Sequence, residues 1–191
     1  VHGLEVLPSK LNRKIRGFFL GDISYVGGMK CIFTLFIIMA SLGWAEPPGW
    51  LMVEQTVAAE VAKPQITVVH LWAPWCPNSK AENQDQGWAK FIAANPTVQF
   101  IFVTVRSSDD GVAYLAGHGV GGEPNLQLLH HPNHVRKGEG SIEYFMDLPM
   151  TWVPTTWIFR EGKLRFALNY GEARFPMLQQ MIADTAATWE H

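Results

Sequence analysis

The chain has 191 residues, of which 48% are hydrophobic and 17% charged, with a formal net charge of −2. This is a globular composition, long enough for one ordinary domain with extensions. Five basic residues (Lys10, Arg13, Lys14, Arg16 and Lys30) and two acidic ones (Glu5 and Asp22) precede residue 46; the remainder holds ten basic and fifteen acidic residues, an acidic body that argues against nucleic-acid binding.

Residues 31–45 read C-I-F-T-L-F-I-I-M-A-S-L-G-W-A without a charge. That run is short for a membrane-spanning helix, which needs about 20 apolar residues. It fits the apolar core of a secretory signal peptide, with Met29-Lys30 as start and minimal positive flank. Small residues at Gly43 and Ala45 place the expected cleavage after Ala45. Residues 1–28 are then an unstructured upstream extension, 29–45 the signal peptide, 46–65 a leader with a short helix or strand, and 66–191 the folded domain. A membrane association is expected only if the signal segment stays uncleaved. If Cys31 leaves with that segment, Cys76 is the one remaining cysteine, and an odd cysteine in an exported chain points to a reactive thiol or intermolecular pairing.

In chain order, residues 51–62 read either as a short helix or as a first strand, ended by Lys63-Pro64. Residues 66–72 are a near-continuous apolar, β-branched run, the pattern of a strand buried on both faces. The run breaks at Ala73-Pro74, and Cys76 follows. A helix is predicted from about Pro77 to Ala94, with apolar Trp88, Phe91 and Ile92 at helical spacing and a stop at Asn95-Pro96. Proline is tolerated at a first helical position because its N–H would be unpaired there anyway. Cys76 therefore lies at a helix N-terminus, where free N–H groups and the positive dipole end favour a thiolate.

Residues 98–105 are a second core strand. Asp109 is the expected N-cap of a short helix over 112–116, closed by glycines within 117–122. Residues 126–130 make a short strand, 131–141 a polar loop and 142–147 a short helix. A hairpin follows, with strands over 155–160 and 164–170 about the turn Glu161-Gly162-Lys163, and Gly171 punctuates its end. A terminal helix over 175–189 carries Phe175, Leu178, Ile182 and Ala186 near one face.

The segment Trp72-Ala73-Pro74-Trp75-Cys76-Pro77-Asn78-Ser79 resembles the active-site segment of the thioredoxin superfamily, with Ser79 where the usual W-C-x-x-C has its second cysteine. Lys80 and Glu82 extend the resemblance to the exported, cytochrome c maturation reductase-like branch. Val153-Pro154-Thr155-Thr156-Trp157-Ile158-Phe159 resembles that family's cis-proline loop running into a strand. The likeness covers roughly residues 66–189. It implies an α/β, thioredoxin-like fold: a central mixed β-sheet with helices on both faces. It also implies a cis Pro154 and a loop facing the cysteine, in which the backbone of Val153, flanked by Thr155, pairs with extended substrate chains. The stretch 117–141 would be the insertion typical of exported subfamilies.

Cys76 is the candidate nucleophile, weighed against an inert, buried apolar residue. Ser79 can offer a hydroxyl to the sulfur but cannot attack a mixed disulfide, so ordinary dithiol chemistry does not carry over. His70 shares a strand face with Trp72 and stands where thioredoxins commonly carry a buried acid; it is either a base for the thiol or a hydrogen-bonded core histidine. Trp75 and Pro77 flank the cysteine as a docking surface, and Trp72 is equally well core. Lys80 and Glu82 either tune the site or are solvated. His130, His131 and His134 read as a solvated loop, since their spacing is a weak metal signal; no metal or cofactor is expected.

The leading expectation is an exported protein, periplasmic or extracellular, exchanging a single thiol with protein thiols or disulfides and released by an external resolving thiol. The alternative is a catalytically inactive module binding extended polypeptide. A one-cysteine peroxidase ranks last, because Val69 and Ala73 stand where its motif needs Pro and Thr or Ser.

Overall fold

The computed structural model describes residues 49–168 and 174–187. The expected extension, signal peptide and cleavage site, residues 169–170 of the hairpin, Gly171 and the last turn of the terminal helix lie outside the described residues. No described helix is long and apolar enough to cross a membrane.

The ambiguous first segment is a helix, α1 (Met52–Val61). Its capping explains the choice. Glu54 accepts from the Leu51 N–H at 2.8 Å through one carboxylate oxygen and from the Met146 N–H at 2.7 Å through the other. The first turn is thereby closed and tied to a distant loop.

Strand β1 (Ile66–Trp72) follows and is buried along nearly its whole length. It is the centre of a five-stranded sheet. On one side it pairs in parallel with β2 (Gln99–Thr104), which pairs in parallel with β3 (Leu126–His130); on the other it pairs antiparallel with β6 (Thr155–Arg160), which carries β7 (Lys163–Leu168) at the edge. Because side chains alternate across a strand, β1 feeds two cores. Val68 and Trp72 join Trp88, Phe91, Ile92, Phe100, Phe102, Leu178 and Ile182 on one face. Val69 and Leu71 join Val57, Val61, Ile101, Val103, Phe145 and Trp157 on the other. This is why β1 reads apolar at consecutive positions rather than alternately.

The single helix expected over 77–94 is two. Helix α2 (Pro77–Ala81) ends after five residues, a 3₁₀ turn spans Gln84–Gln86, and α3 (Gly87–Ala94) restarts. Asp85 and Gln86 take left-handed φ values of 52° and 58°. The break lets the Glu82 carboxylate turn inward while α3 lays Trp88 on the sheet. Gly87 permits the tight approach: a Cβ there would stand 2.5 Å from the Glu82 carbonyl oxygen.

Helix α4 (Val112–Gly117) is capped by Gly111 and not by Asp109. Asp109 instead accepts from the Gly111 N–H at 2.8 Å, closing the turn one residue earlier. Gly111 has φ +74°, and a Cβ on it would lie 2.5 Å from the Trp72 ring. The expected helix over 142–147 is a small hairpin, β4 (Tyr144–Phe145) and β5 (Leu148–Pro149), turning through left-handed Met146 and Asp147. Phe145 is fully buried against the sheet while its neighbour Tyr144 is exposed, an alternation of strand and not of helix. The hairpin shares its face of the sheet with α1. The opposite face carries α3, α4 and α5 (Phe175–Ala186), whose Leu178 and Ile182 are buried as the spacing predicts. A central mixed sheet with helices on both faces is the thioredoxin-like arrangement.

Candidate functional site

Cys76 sits where β1 hands over to α2. The Trp72 carbonyl accepts from the Val105 N–H at 2.9 Å, and the Cys76 N–H closes a turn onto the Ala73 carbonyl at 3.0 Å. The Trp75 indole N–H donates to the Arg106 carbonyl at 2.8 Å, pinning that turn to the end of β2. Cys76 has an extended backbone (φ −79°, ψ 125°) as N-cap of α2, with Pro77 in the first turn. Its thiol is free and 6% exposed. The sulfur makes no capping bond to its own helix; it donates across to the Val153 carbonyl at 3.3 Å. The Val153–Pro154 bond is cis. The two segments, far apart in sequence, thus meet at the sulfur. Thr155 turns the loop by donating its hydroxyl to the Trp152 carbonyl at 2.7 Å.

Ser79 is fully buried one turn into α2. Its hydroxyl oxygen accepts from the Ala73 N–H at 3.4 Å, which ties the helix to the turn before the cysteine. The sulfur's hydrogen bond goes instead to Val153.

His70 is fully buried on the same face of β1 as Trp72. One ring nitrogen lies 2.9 Å from the Thr156 hydroxyl, its cross-strand partner on β6. The other lies 3.2 Å from Glu82 Oε2, close but poorly aligned for a hydrogen bond. The imidazole packs at a tilt against both Trp88 and Phe102, with ring centroids at 4.6 and 4.8 Å. Glu82 is buried, not solvated, and accepts from the Trp88 indole N–H at 3.1 Å. Lys80 is exposed. Trp72 is fully buried core, so Trp75 alone of the two tryptophans borders the cysteine's opening.

That opening is a cleft of about 510 Å³ lined by Trp75, Cys76, Asn78, Arg106 and Val153, among others. Five of its lining residues, Arg106, Arg136, Lys137, Thr151 and Trp152, were not singled out by sequence. Arg136 and Lys137 belong to the polar loop that follows β3, and the Arg136 guanidinium lies 3.9 Å over the Trp75 ring. Trp152, 55% exposed, precedes the cis-proline loop. A tryptophan immediately before that motif was the available signal; nothing local in H-P-N-H-V-R-K-G marks the basic pair as facing the cysteine. Arg106 closes the floor with a left-handed φ of 55°, donating to the carbonyls of Ile142 at 2.6 Å, Met150 at 3.1 Å and Thr151 at 3.3 Å. Burial lowers its pKa, partly offset by the nearby Glu143 carboxylate.

The three histidines do not form one group. His130 and His134 are exposed, but His131 is buried, its ring accepting from the Asn133 N–H at 3.1 Å, and desolvation pulls its pKa down. The solvated-loop expectation therefore fails at His131, which packs toward Phe145.

The fold is of the thioredoxin-like class. No protein-family model matches the chain and no curated relative matches it. Solved structures similar to it include a secreted disulfide oxidoreductase of Mycobacterium tuberculosis homologous to E. coli DsbE, at 22% identity over 65% of this chain and 85% of that one with a TM-score of 0.49. StoA from Bacillus subtilis is 22% identical, covering 62% of this chain and 83% of that one with a TM-score of 0.43. A secreted thiol-disulfide isomerase from Corynebacterium glutamicum is 15% identical, covering 65% and 72% with a TM-score of 0.45.

Proposed function

We propose that this is an exported thioredoxin-like protein whose single active-site thiol takes part in thiol–disulfide exchange. The observation that carries the reading is the meeting of the Cys76 sulfur with the Val153 carbonyl, 3.3 Å away and immediately before cis Pro154, at the edge of an open cleft. A sulfur in that position can attack a disulfide presented along the cleft, while the Val153 carbonyl, freed when the thiol proton departs, is available to an incoming backbone N–H. Trp75, Pro77 and Thr155 border or brace the place where such a chain would lie. Ser79 cannot supply a second thiol. Exchange therefore stops at a mixed disulfide with a protein partner until an external thiol releases it.

His70 acts in this reading as a positioning residue beneath the site, bonded to Thr156 and set beside Glu82. The apolar run over residues 31–45 supports export to the periplasm or beyond.

The test is alkylation of Cys76 in the folded protein, read by intact mass, with trapping of its mixed disulfides. Labelling of the folded protein, together with mixed disulfides trapped on partner proteins and lost in Cys76→Ser, is the expected result. No labelling of the folded protein, or no mixed disulfide with any partner, overturns it.

One observation favours a second reading. The thiol is 6% exposed and already hydrogen-bonded, as suits a module that binds extended polypeptide without turnover. Binding that survives Cys76→Ser unchanged distinguishes that case.

A further inference from the structure

The cleft beside Cys76 is positively charged on an otherwise acidic body. Its charged lining residues are Arg106, Arg136 and Lys137, with no carboxylate among them. Arg106 is committed to three backbone carbonyls and faces Glu143. Arg136 and Lys137 are different: both are exposed, and among the described residues neither has an ion-pair partner. Glu139, two residues further along the same loop, does not line the cleft. Arg136 is held in place by its stack on Trp75, the residue adjoining the cysteine. Residues 46–191 carry fifteen acidic against ten basic side chains in all, so a cationic cleft is a local departure that concentrates anions there. Its volume of about 510 Å³ suits a small molecule or short peptide.

Resting on the exchange reading above, we propose that this cleft selects a small, carboxylate-bearing thiol or its disulfide as the partner that loads and unloads Cys76. In loading, Cys76 gives up its proton to solvent and its thiolate attacks one sulfur of the disulfide RSSR. A Cys76–S–S–R bond forms, the R–S–S–R bond breaks, and RS⁻ leaves to be protonated by solvent. The Cys76 sulfur is oxidised and the leaving sulfur reduced. Unloading of Cys76–S–S–R by a second RS⁻ is the same displacement in reverse. It supplies from outside the thiol that Ser79 lacks, and it passes through the same transition state. Arg136 and Lys137 stabilise carboxylates on R in both directions.

Three disulfides of equal chain length test this on the full chain: dianionic 3,3′-dithiodipropionate, neutral 2-hydroxyethyl disulfide and dicationic cystamine. Each rate of adduct formation at Cys76 is divided by the rate with a free cysteine peptide, which removes their intrinsic differences. The expected order is anionic above neutral above cationic. At low salt the anionic-to-cationic ratio should be about tenfold, the effect of two unit charges a few ångströms away across water. It should shrink in high salt and fall to near unity in Arg136→Ala/Lys137→Ala. Lys90→Ala, an exposed change on α3, should keep it. The neutral disulfide reports whether the double variant's thiol remains accessible. A ratio at or below unity in the unaltered protein, or a preference that survives the double substitution, overturns the inference and leaves the exchange reading standing. No adduct with any of the three overturns both.

Discussion

At position 79 a serine is buried one turn beyond Cys76, bonded to the Ala73 N–H. The site keeps the backbone of a two-thiol centre at the position where a second sulfur would sit. Serine to cysteine changes one atom and adds little volume, so the local fold should accept it. We expect Ser79→Cys to form an internal disulfide between Cys76 and the introduced thiol under mild oxidation, read as the loss of two hydrogens in intact mass. Release of a Cys76 mixed disulfide should then no longer need added thiol. If the variant stays fully reduced under oxidant while Cys76 remains alkylatable, the two positions do not face each other and the resemblance is one of sequence alone.

The break between α2 and α3 is the element that most changes the site, because it turns Glu82 under β1 and against His70 and Trp88. It requires left-handed backbone at Asp85 and Gln86. A side chain in that region costs roughly 1–2 kcal/mol, which glycine avoids while giving back part of the gain in chain entropy. Gln86 is exposed, so Gln86→Gly should raise stability by roughly 0.5–1 kcal/mol in chemical denaturation, with Cys76 alkylation unchanged. A loss of stability would mean that the break is not held in this form. Sequence reasoning missed the break because no proline marks it, although Asn83, Asp85 and Gly87 in A-E-N-Q-D-Q-G all favour turns over helix interior. It also misread residues 142–147, where M-D takes a tight turn held by tertiary contacts, the burial of Phe145 against the sheet and the bond from the Met146 N–H to Glu54. Strand β1, the hairpin β6–β7 and the helix start at Pro77 were legible, since each rests on local chemistry: β-branched runs, a Glu-Gly turn, and proline at a fixed position; the meeting of Cys76 with the Val153-Pro154 loop, 77 residues apart, came only from the family resemblance. The cationic lining was not, because Arg136 and Lys137 reach the cleft through a loop whose path is set by tertiary contacts.

Across the whole molecule, one sheet serves two apolar cores, and no strand of its centre belongs to one alone. On β1, Val68 and Trp72 pack on one face while Val69 and Leu71 pack on the other; on β6, Ile158 faces the first core and Trp157 and Phe159 the second. A core on one face cannot come apart without disturbing the strands that hold the other. Removing a fully buried side chain from either face should therefore weaken a single shared transition. Ile92→Ala opens a space between α3 and the sheet; Phe145→Ala does so between the β4–β5 hairpin and the opposite face. Each should cost roughly 2–5 kcal/mol, and in both variants tryptophan fluorescence and far-ultraviolet circular dichroism should report one coincident midpoint in urea. The two sites sit on opposite faces without shared partners, so their costs should add in the double variant to within about 0.5 kcal/mol. Separate midpoints for the two signals in Phe145→Ala would show that α1 and the hairpin melt as a unit of their own. The Cys76 site would then rest on the sheet and the α3–α5 face alone, and alkylation of Cys76 should keep its native rate at urea concentrations where that second face is already open.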